Sequence, residues 1–219
     1  MVELSPVQQR VVGALAEKDM ATPDNYPLSM NALLAACNQT TNRDPVVSFT
    51  EETVDNALAN LRSSGIARVV YSKGMRVDKY RHVLHEVLGL DRAELAVVTV
   101  MLLRGPQTGA ELRARTERLH PFADQAAVDA TLEGLARREP ALAVLHARQP
   151  GQKEPRWMHC LGADTLPREP ASPEPEPTVA PAPAPAPAPV PDDRIAALEA
   201  RVAAIEARLG GETSTGQMP

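Results

Sequence analysis

Residues 54–61 read Val-Asp-Asn-Ala-Leu-Ala-Asn-Leu, and residues 128–135 read Val-Asp-Ala-Thr-Leu-Glu-Gly-Leu. The two stretches share the pattern V-D-x-x-L-x-x-L, in which the apolar residues recur at the spacing of one helix face. Matching pieces precede both stretches in the same order: Pro27-Leu28-Ser29 with Leu33, and Pro106-Gln107-Thr108 with Leu112. Two copies of one small unit in the same internal order indicate tandem domains rather than one large fold.

Three helices are predicted in each copy from their N-caps and their apolar periodicity. In the first copy Ser5 precedes Pro6, which is the arrangement preferred at a helix start. The other predicted caps are Ser29 and either Ser48 or Thr50 in the first copy, and Asp91, Thr108 and Asp124 in the second. The third helix of the first copy is expected to end near Gly65, because glycine commonly follows a helix C-terminus.

A β-hairpin is predicted after the third helix of each copy, because the apolar period there changes from about 3.6 residues to about 2. The predicted strands are 66–71 and 79–83 in the first copy, and 142–145 and 156–161 in the second. Three helices followed by a hairpin is the order of a winged helix-turn-helix domain. The sequence therefore predicts an α+β, mostly helical fold with two such domains in tandem, over residues 1–84 and 85–166.

The remainder of the chain has a different composition. Residues 167–191 are rich in proline and alanine, and such a segment samples extended polyproline conformations. We expect a disordered, semi-rigid linker there and a disordered tail over 211–219. Between them, residues 192–210 carry apolar side chains at alternating spacings of three and four, namely Ile195, Leu198, Val202, Ile205 and Leu209.

These heptad spacings predict a parallel coiled coil. Its register places Arg194 opposite Glu199 of the neighbouring chain, and Arg201 opposite Glu206, so that both pairs have opposite charge. We therefore expect a homo-oligomer, and the pattern does not distinguish a dimer from a trimer. An isolated amphipathic tail helix is the alternative.

The composition argues against several classes of protein. The 219 residues include 23 Lys+Arg and 28 Asp+Glu, for a net charge of −5, so no bulk positive field attracts nucleic acid. Two cysteines in apolar contexts, Cys37 and Cys160, support neither a disulfide framework nor a zinc site. The sequence has no apolar run that is long enough to cross a membrane, and we expect a cytoplasmic protein.

Catalytic patterns are not recognisable in the sequence. It has no Gly-rich phosphate loop, no nucleophile triad and no paired carboxylates of the kind that general acid–base catalysis requires. His82 and His85, with Glu86 adjacent, come nearest to a metal site, but their spacing fixes no third ligand. The sequence therefore predicts a protein without enzymatic activity, metal or cofactor.

Several strings in both copies are long and unusual enough to compare with known families. They are Thr22-Pro23, 26–29 (Tyr-Pro-Leu-Ser), 36–39 (Ala-Cys-Asn-Gln), 42–46 (Asn-Arg-Asp-Pro-Val), 103–108 (Leu-Arg-Gly-Pro-Gln-Thr), 111–113 (Glu-Leu-Arg) and 150–154 (Pro-Gly-Gln-Lys-Glu). In these strings the chain resembles the YceH-like family of bacterial proteins over roughly residues 3–162. The resemblance implies two tandem winged-helix domains and a short heptad tail after a variable linker, and it supplies no catalytic residues. Thr40 departs from the family pattern, because a lysine is expected there.

Basic residues cluster in the two predicted hairpins. They are Lys73, Arg76 and Lys79 in the first copy, and Arg148, Lys153 and Arg156 in the second. Basic hairpins suit contact with phosphates or with the minor groove, but charge on an edge hairpin also prevents pairing with another sheet. Arg43 lies in a polar loop over 38–45, which suits either a phosphate contact or the capping of neighbouring helices.

The acidic N-terminal residues of the third helices argue against base-specific recognition of DNA. In helix-turn-helix docking, the N-terminal residues of this helix enter the major groove. Here those residues are acidic, namely Glu51, Glu52 and Asp55 in the first copy and Asp124 and Asp129 in the second. Carboxylates favour a helix N-terminus through its dipole, but DNA phosphates repel them.

Two hypotheses for the function remain open. In the first, the protein is DNA-associated and resembles a transcription regulator, and it contacts double-stranded DNA through the basic hairpins and Arg43 with little sequence specificity. In the second, it is a protein-interaction scaffold whose acidic third helices, or the loop over 38–45, bind a partner protein without any contact to DNA.

Overall fold

The computed structural model describes residues 2–71, 77–162 and 200–203. The chain divides into two compact units, Met1–Arg168 and Glu169–Pro219. The described part of the second unit is helical and contains Val202, whose side chain is exposed. The predicted linker, the predicted tail and four of the heptad positions lie outside the described residues, these positions being Ile195, Leu198, Ile205 and Leu209.

Besides a 3-10 helix at Pro23–Asn25, the described residues of the first repeat form three α-helices and three short strands. In chain order they are α1 (Pro6–Ala21), β1 (Leu28–Ser29), α2 (Met30–Cys37), α3 (Glu51–Ser63), β2 (Ala67–Val70) and β3 (Lys79–His82). The three helices are capped by Ser5, Ser29 and Thr50, whose side chains each accept a hydrogen bond from the backbone N–H three residues on. The predicted caps are thereby confirmed, with Thr50 rather than Ser48 at α3.

The second repeat is preceded by α4 (Leu84–Leu88), a short helix that the sequence analysis did not predict. It ends at Gly89, whose φ of 61° is left-handed. The repeat then consists of α5 (Arg92–Arg104), α6 (Gly109–Thr116), α7 (Gln125–Ala136), β4 (Ala143–His146) and β5 (Arg156–His159). Its predicted caps, Asp91, Thr108 and Asp124, are confirmed by the same type of hydrogen bond.

The sheets show that the two repeats share one topology. In the first repeat the strands are antiparallel in the order β1-β3-β2, with Leu28 opposite Tyr80. In the second repeat β4 pairs with β5, and an isolated bridge between Gln107 and Trp157 takes the place of β1. The sequence analysis predicted both hairpins and missed β1, because two residues are too few to show a period.

The core is made mainly of leucine, valine and alanine, as the scarcity of aromatic residues requires. Helices α1 and α5, one from each repeat, pack against each other at its centre. A Cβ atom on Gly13 of α1 would lie 3.0 Å from Leu103 Cδ2 and 3.2 Å from Leu102 Cβ. The missing side chain therefore lets the two helices approach closely, and the two repeats share one continuous core.

Candidate functional site

Arg43 is buried rather than exposed on its loop. Its side chain is 0% exposed, and Nη1 and Nη2 donate to the two carboxylate oxygens of Glu17 at 3.1 and 2.6 Å. Nε and Nη2 also donate to the carbonyl of Ala36, at 3.1 and 2.8 Å. All three donor nitrogens of the Arg43 side chain therefore have partners within the protein.

The ion pair determines the protonation of Glu17. Burial raises the pKa of this carboxyl, but the hydrogen bond and the charge of Arg43 outweigh burial, and the pKa lies below its ordinary value. The loop is held further by Asn38, whose side chain exchanges two hydrogen bonds with the backbone of Phe49. These contacts favour the structural alternative for the loop over 38–45.

The first hairpin has a basic outer face that the sequence analysis identified only in part. Lys79 and Arg81 alternate along β3 with the buried Tyr80 and therefore lie on the same face. Arg68 on β2 lies directly opposite Arg81. Because like charges in such a pair repel each other, the position of Glu86 matters.

Glu86 approaches both arginines of this pair. One of its oxygens lies 3.0 Å from Arg81, and the other lies 3.5 Å from Arg68. The hydrogen bond from Arg81 lowers the pKa of Glu86. The hairpin nevertheless holds three cations, Lys79 included, beside Glu86 and the exposed Asp78. The alternation of residues along 79–82 is the sequence signal that indicates Arg81 on this face. The other two predicted cations of this hairpin, Lys73 and Arg76, lie outside the described residues.

Arg156, at the start of β5, is held by an ion pair and does not project freely from the second hairpin. Its Nη1 lies 2.7 Å from Glu111 Oε2 and 3.0 Å from the carbonyl of Pro106. Burial raises the pKa of Glu111, but hydrogen bonds from the Thr108 backbone and from Arg156 bring the pKa below its ordinary value. Arg156 therefore joins the hairpin to α6, and its charge is largely neutralised.

The tip of the second hairpin keeps two free cations. A turn closes it through a hydrogen bond from Gln152 N–H to the carbonyl of Gln149, with Gly151 at a left-handed φ of 87°. Arg148 and Lys153 are exposed on either side of this turn, and neither has a hydrogen bond or an ion pair within the part of the chain that the structure describes.

The acidic residues of the two third helices differ in their surroundings. On α7, Asp124 caps the helix, and Asp129 accepts a hydrogen bond from Gln125 at 2.9 Å. On α3, Glu51, Glu52 and Asp55 are all exposed. Among residues 2–71 and 77–162, none of these three forms an ion pair. The acidic surface of α3 is therefore available for contact, and that of α7 is largely used in its own helix.

His82 and His85 lie in direct contact with each other. Their rings pack edge to face with centroids 5.3 Å apart, and His82 Nε2 lies 3.1 Å from Asp19 Oδ2. The hydrogen bond from His82 lowers the pKa of Asp19. No group of three or more metal-ligating side chains occurs within the described residues. No helix of the same residues has the length and apolar character to span a membrane.

Both cysteines are free and buried. Burial raises the pKa of Cys37 to about 12, and burial also raises the pKa of Cys160. A thiol becomes a nucleophile only as a thiolate. Neither cysteine is therefore suited to nucleophilic chemistry at neutral pH.

Comparison with known proteins places the chain in a well-defined group of sequences. Residues 4–152 match a family model described as "Protein of unknown function, DUF480". The UPF0502 protein GSU0233 of Geobacter sulfurreducens is 46% identical over 205 residues, which cover 92% of this chain and 90% of the relative. A UPF0502 protein of Pelobacter propionicus is 48% identical over 206 residues (94% and 91%). The UPF0502 protein YceH of Salmonella schwarzengrund is 42% identical over 214 residues (94% of each chain).

Proposed function

Given that this chain belongs to the YceH-like DUF480 family, we propose that it is a non-enzymatic, DNA-associated protein built from two winged-helix domains. The order helix, strand, helix, helix, strand, strand of the first repeat supports the winged-helix assignment, as does its sheet order β1-β3-β2. The bridge between Gln107 and Trp157 supports the same assignment for the second repeat.

The observation that carries the proposal is the surplus of cations on the two hairpins. Arg68, Lys79 and Arg81 lie on the first hairpin, where Glu86 of α4 approaches the two arginines and the exposed Asp78 precedes Lys79. Such cations neutralise phosphates and give affinity that does not depend on sequence.

The second hairpin adds the exposed Arg148 and Lys153, beside the exposed Glu154. The acidic N-terminus of α3 does not suit the reading of bases. We therefore propose binding with little sequence specificity. The coiled coil predicted over 192–210 would join several such domains, and avidity would then compensate for weak individual contacts.

The test is a fluorescence-anisotropy titration of the full-length protein onto random duplex DNA, at about 50 and 200 mM salt. A variant with Lys79→Glu, Arg148→Glu and Lys153→Glu is compared with the wild type. A control variant with Arg113→Glu and Arg137→Glu reverses two exposed charges away from the hairpins, one on α6 and one directly after α7.

We expect the affinity of the wild type to fall steeply with salt, the control to bind almost as tightly, and the hairpin variant to lose most of its affinity. Equal binding by the two variants would show that overall charge, and not the hairpins, causes the association. Absence of binding at low salt would refute the DNA proposal.

A second function is favoured by the acidic surface of α3. Glu51, Glu52 and Asp55 are exposed without a cationic partner among the described residues, and such a surface suits a basic segment of another protein. Cross-linking in cells, compared between the wild type and Glu51→Lys/Asp55→Lys, tests this alternative. A partner protein that is lost in this variant and retained in the hairpin variant would favour the scaffold function over DNA association.

A further inference from the structure

A cleft of about 290 Å³ lies where the C-terminal parts of α1 and α5 meet α6 and the loop over 38–45. Both repeats contribute to it, α1 and the loop from the first repeat and α5 and α6 from the second. Its principal polar side chains are Lys18, Gln39, Asn42, Arg104, Arg115 and Arg118. The hairpin cations described above do not line it, so it is a separate feature of the surface.

Positive charge predominates in this cleft. Four cationic side chains line it, and Glu17 is its single carboxylate. Both oxygens of Glu17 accept hydrogen bonds from the buried Arg43. Because Arg43 neutralises Glu17, the carboxylate does little to offset the four cations. Lys18 Nζ also approaches it, at 3.3 Å.

The three arginines of the cleft are only weakly engaged by the protein. Arg118 is exposed and has no hydrogen bond or ion pair within the described part of the chain. Arg115 lies 3.7 Å from Glu111, whose carboxylate is already bound by Arg156. Arg104 donates to the amide oxygen of Asn42 at 2.9 Å. Burial, followed by the nearby charge of Arg115, lowers the pKa of Arg104.

The helix dipoles explain only part of this concentration of cations. The C-terminal ends of α1, α5 and α6 meet near the cleft, and each end carries about half a negative elementary charge. Lys18 and Arg115 lie near Glu17 and Glu111, whereas Arg104 contacts a neutral amide and Arg118 has no partner within the described residues, so the helix ends do not account for all of the positive charge. The surplus is therefore available to an anion that enters from solvent.

We propose that this cleft binds a small organic phosphate. Guanidinium groups match the geometry of phosphate oxygens, and Gln39 offers a further amide donor. Val100, Leu103 and Leu119 also line the cleft and provide contact for a carbon skeleton. A concave site of this size is close to the roughly 300 Å³ at which small-molecule sites begin. The site does not depend on DNA association by the hairpins.

Pyrophosphate is the probe for the phosphate subsite, because it carries no carbon skeleton. Isothermal titration calorimetry of the full-length protein, at ionic strength held constant with chloride, gives its affinity for the wild type, Arg118→Glu and Arg115→Glu. Arg113→Glu is the matched control, since Arg113 is exposed on α6, which also carries Arg115, and does not line the cleft. Circular dichroism melts show whether each variant is folded.

We expect saturable binding by the wild type and the control, and binding at least about tenfold weaker for both cleft variants, because each loses a charge-assisted contact. Equal affinity of folded Arg118→Glu and Arg113→Glu would overturn the proposal, as would a wild type without saturable binding at millimolar pyrophosphate. A parallel titration with duplex DNA distinguishes the source of the phosphate. If Arg118→Glu weakened DNA binding while pyrophosphate did not bind the wild type, the cleft would be a nucleic-acid contact, and the small-ligand proposal would fail.

Discussion

His82 and His159 occupy equivalent positions at the ends of β3 and β5, and the Nδ1 atom of each accepts a hydrogen bond from the backbone N–H two residues on, at 3.2 Å in both cases. The remaining ring nitrogens differ. Nε2 of His82 lies 3.1 Å from Asp19, whereas Nε2 of His159 is buried without a partner among the described residues. The two repeats therefore share the same hydrogen bond at the end of the hairpin. They differ in that a carboxylate, Asp19, lies beside the ring only in the first repeat.

His159 makes the stability of the protein depend on pH. Burial lowers its pKa from 6.5 to about 4, so the native ring stays neutral in a range where the ring of the unfolded chain takes up a proton. The stabilisation is fully present above pH 6.5 and is lost as the pH falls towards 4. Over this window we expect His159 to reduce the free energy of unfolding by up to about 3 kcal/mol. Urea unfolding at a series of pH values measures the effect.

The matched variant is His159→Asn, because the asparagine side-chain oxygen can replace Nδ1 as the acceptor for Leu161 N–H without titrating. We expect its free energy of unfolding to depend less on pH between 6.5 and 4 than that of the wild type. His120→Asn changes a half-exposed histidine and should keep the wild-type slope. Identical slopes for the wild type and His159→Asn would show that His159 is not the group responsible.

The ion pair between Arg43 and Glu17 should contribute strongly to stability. Glu17→Gln removes the negative charge and leaves the fully buried guanidinium uncompensated, so we expect the free energy of unfolding to fall by about 3 kcal/mol. Glu133→Gln is the control, because its partner Arg137 and Glu133 itself are both largely exposed, and the loss should be below about 1 kcal/mol. Equal losses in the two variants, measured by urea unfolding at neutral pH, would contradict the structural role of Arg43.

The sequence was sufficient to predict those features of the fold that depend on residues close together in the chain. All six predicted helix caps involve a side chain and a backbone N–H three residues apart, and such a pair leaves a local signature. The duplicated order of elements was also predictable from the sequence, because each repeat carries the same short pattern of neighbouring residues. The missed strand β1 has only two residues and forms through its pairing with β3, which lies far along the chain.

The candidate site was less predictable, because its charges depend on contacts between distant residues. The sequence left Arg43 open to a phosphate contact or a structural role and placed Arg156 among the hairpin cations, whereas the fold places Glu17 and Glu111 against them. Nothing in the local pattern around Arg43 indicates a carboxylate from α1. On the outer face of the first hairpin the sequence analysis missed Arg81, although the alternation of residues along β3 indicates it, and Arg68 joins this face only through the pairing of β2 with β3.

Both cysteines should resist thiol reagents in the native protein. The pKa of Cys37 is raised to about 12, and both side chains are buried, so little thiolate is present or accessible at neutral pH. We expect a chromogenic disulfide reagent to react with both cysteines in denaturant and with neither in the native state. Ser48→Cys places a thiol at an exposed loop position and serves as the reactive control. Native wild-type protein that reacted as fast as this control would contradict the buried placement.

The close crossing of α1 and α5 can be tested by adding one methyl group. Alanine usually stabilises a helix by about 0.5–1 kcal/mol relative to glycine, and we expect this gain for Gly134→Ala, where a Cβ would meet nothing within 4 Å. At Gly13 the new Cβ would lie 3.2 Å from Leu102 Cβ, which is attached directly to the backbone and cannot move aside alone. Overpacking of this kind costs about 1–3 kcal/mol, so Gly13→Ala should lower the melting temperature. If Gly13→Ala stabilised the protein as much as Gly134→Ala does, the two repeats would not be held together by contact at this glycine.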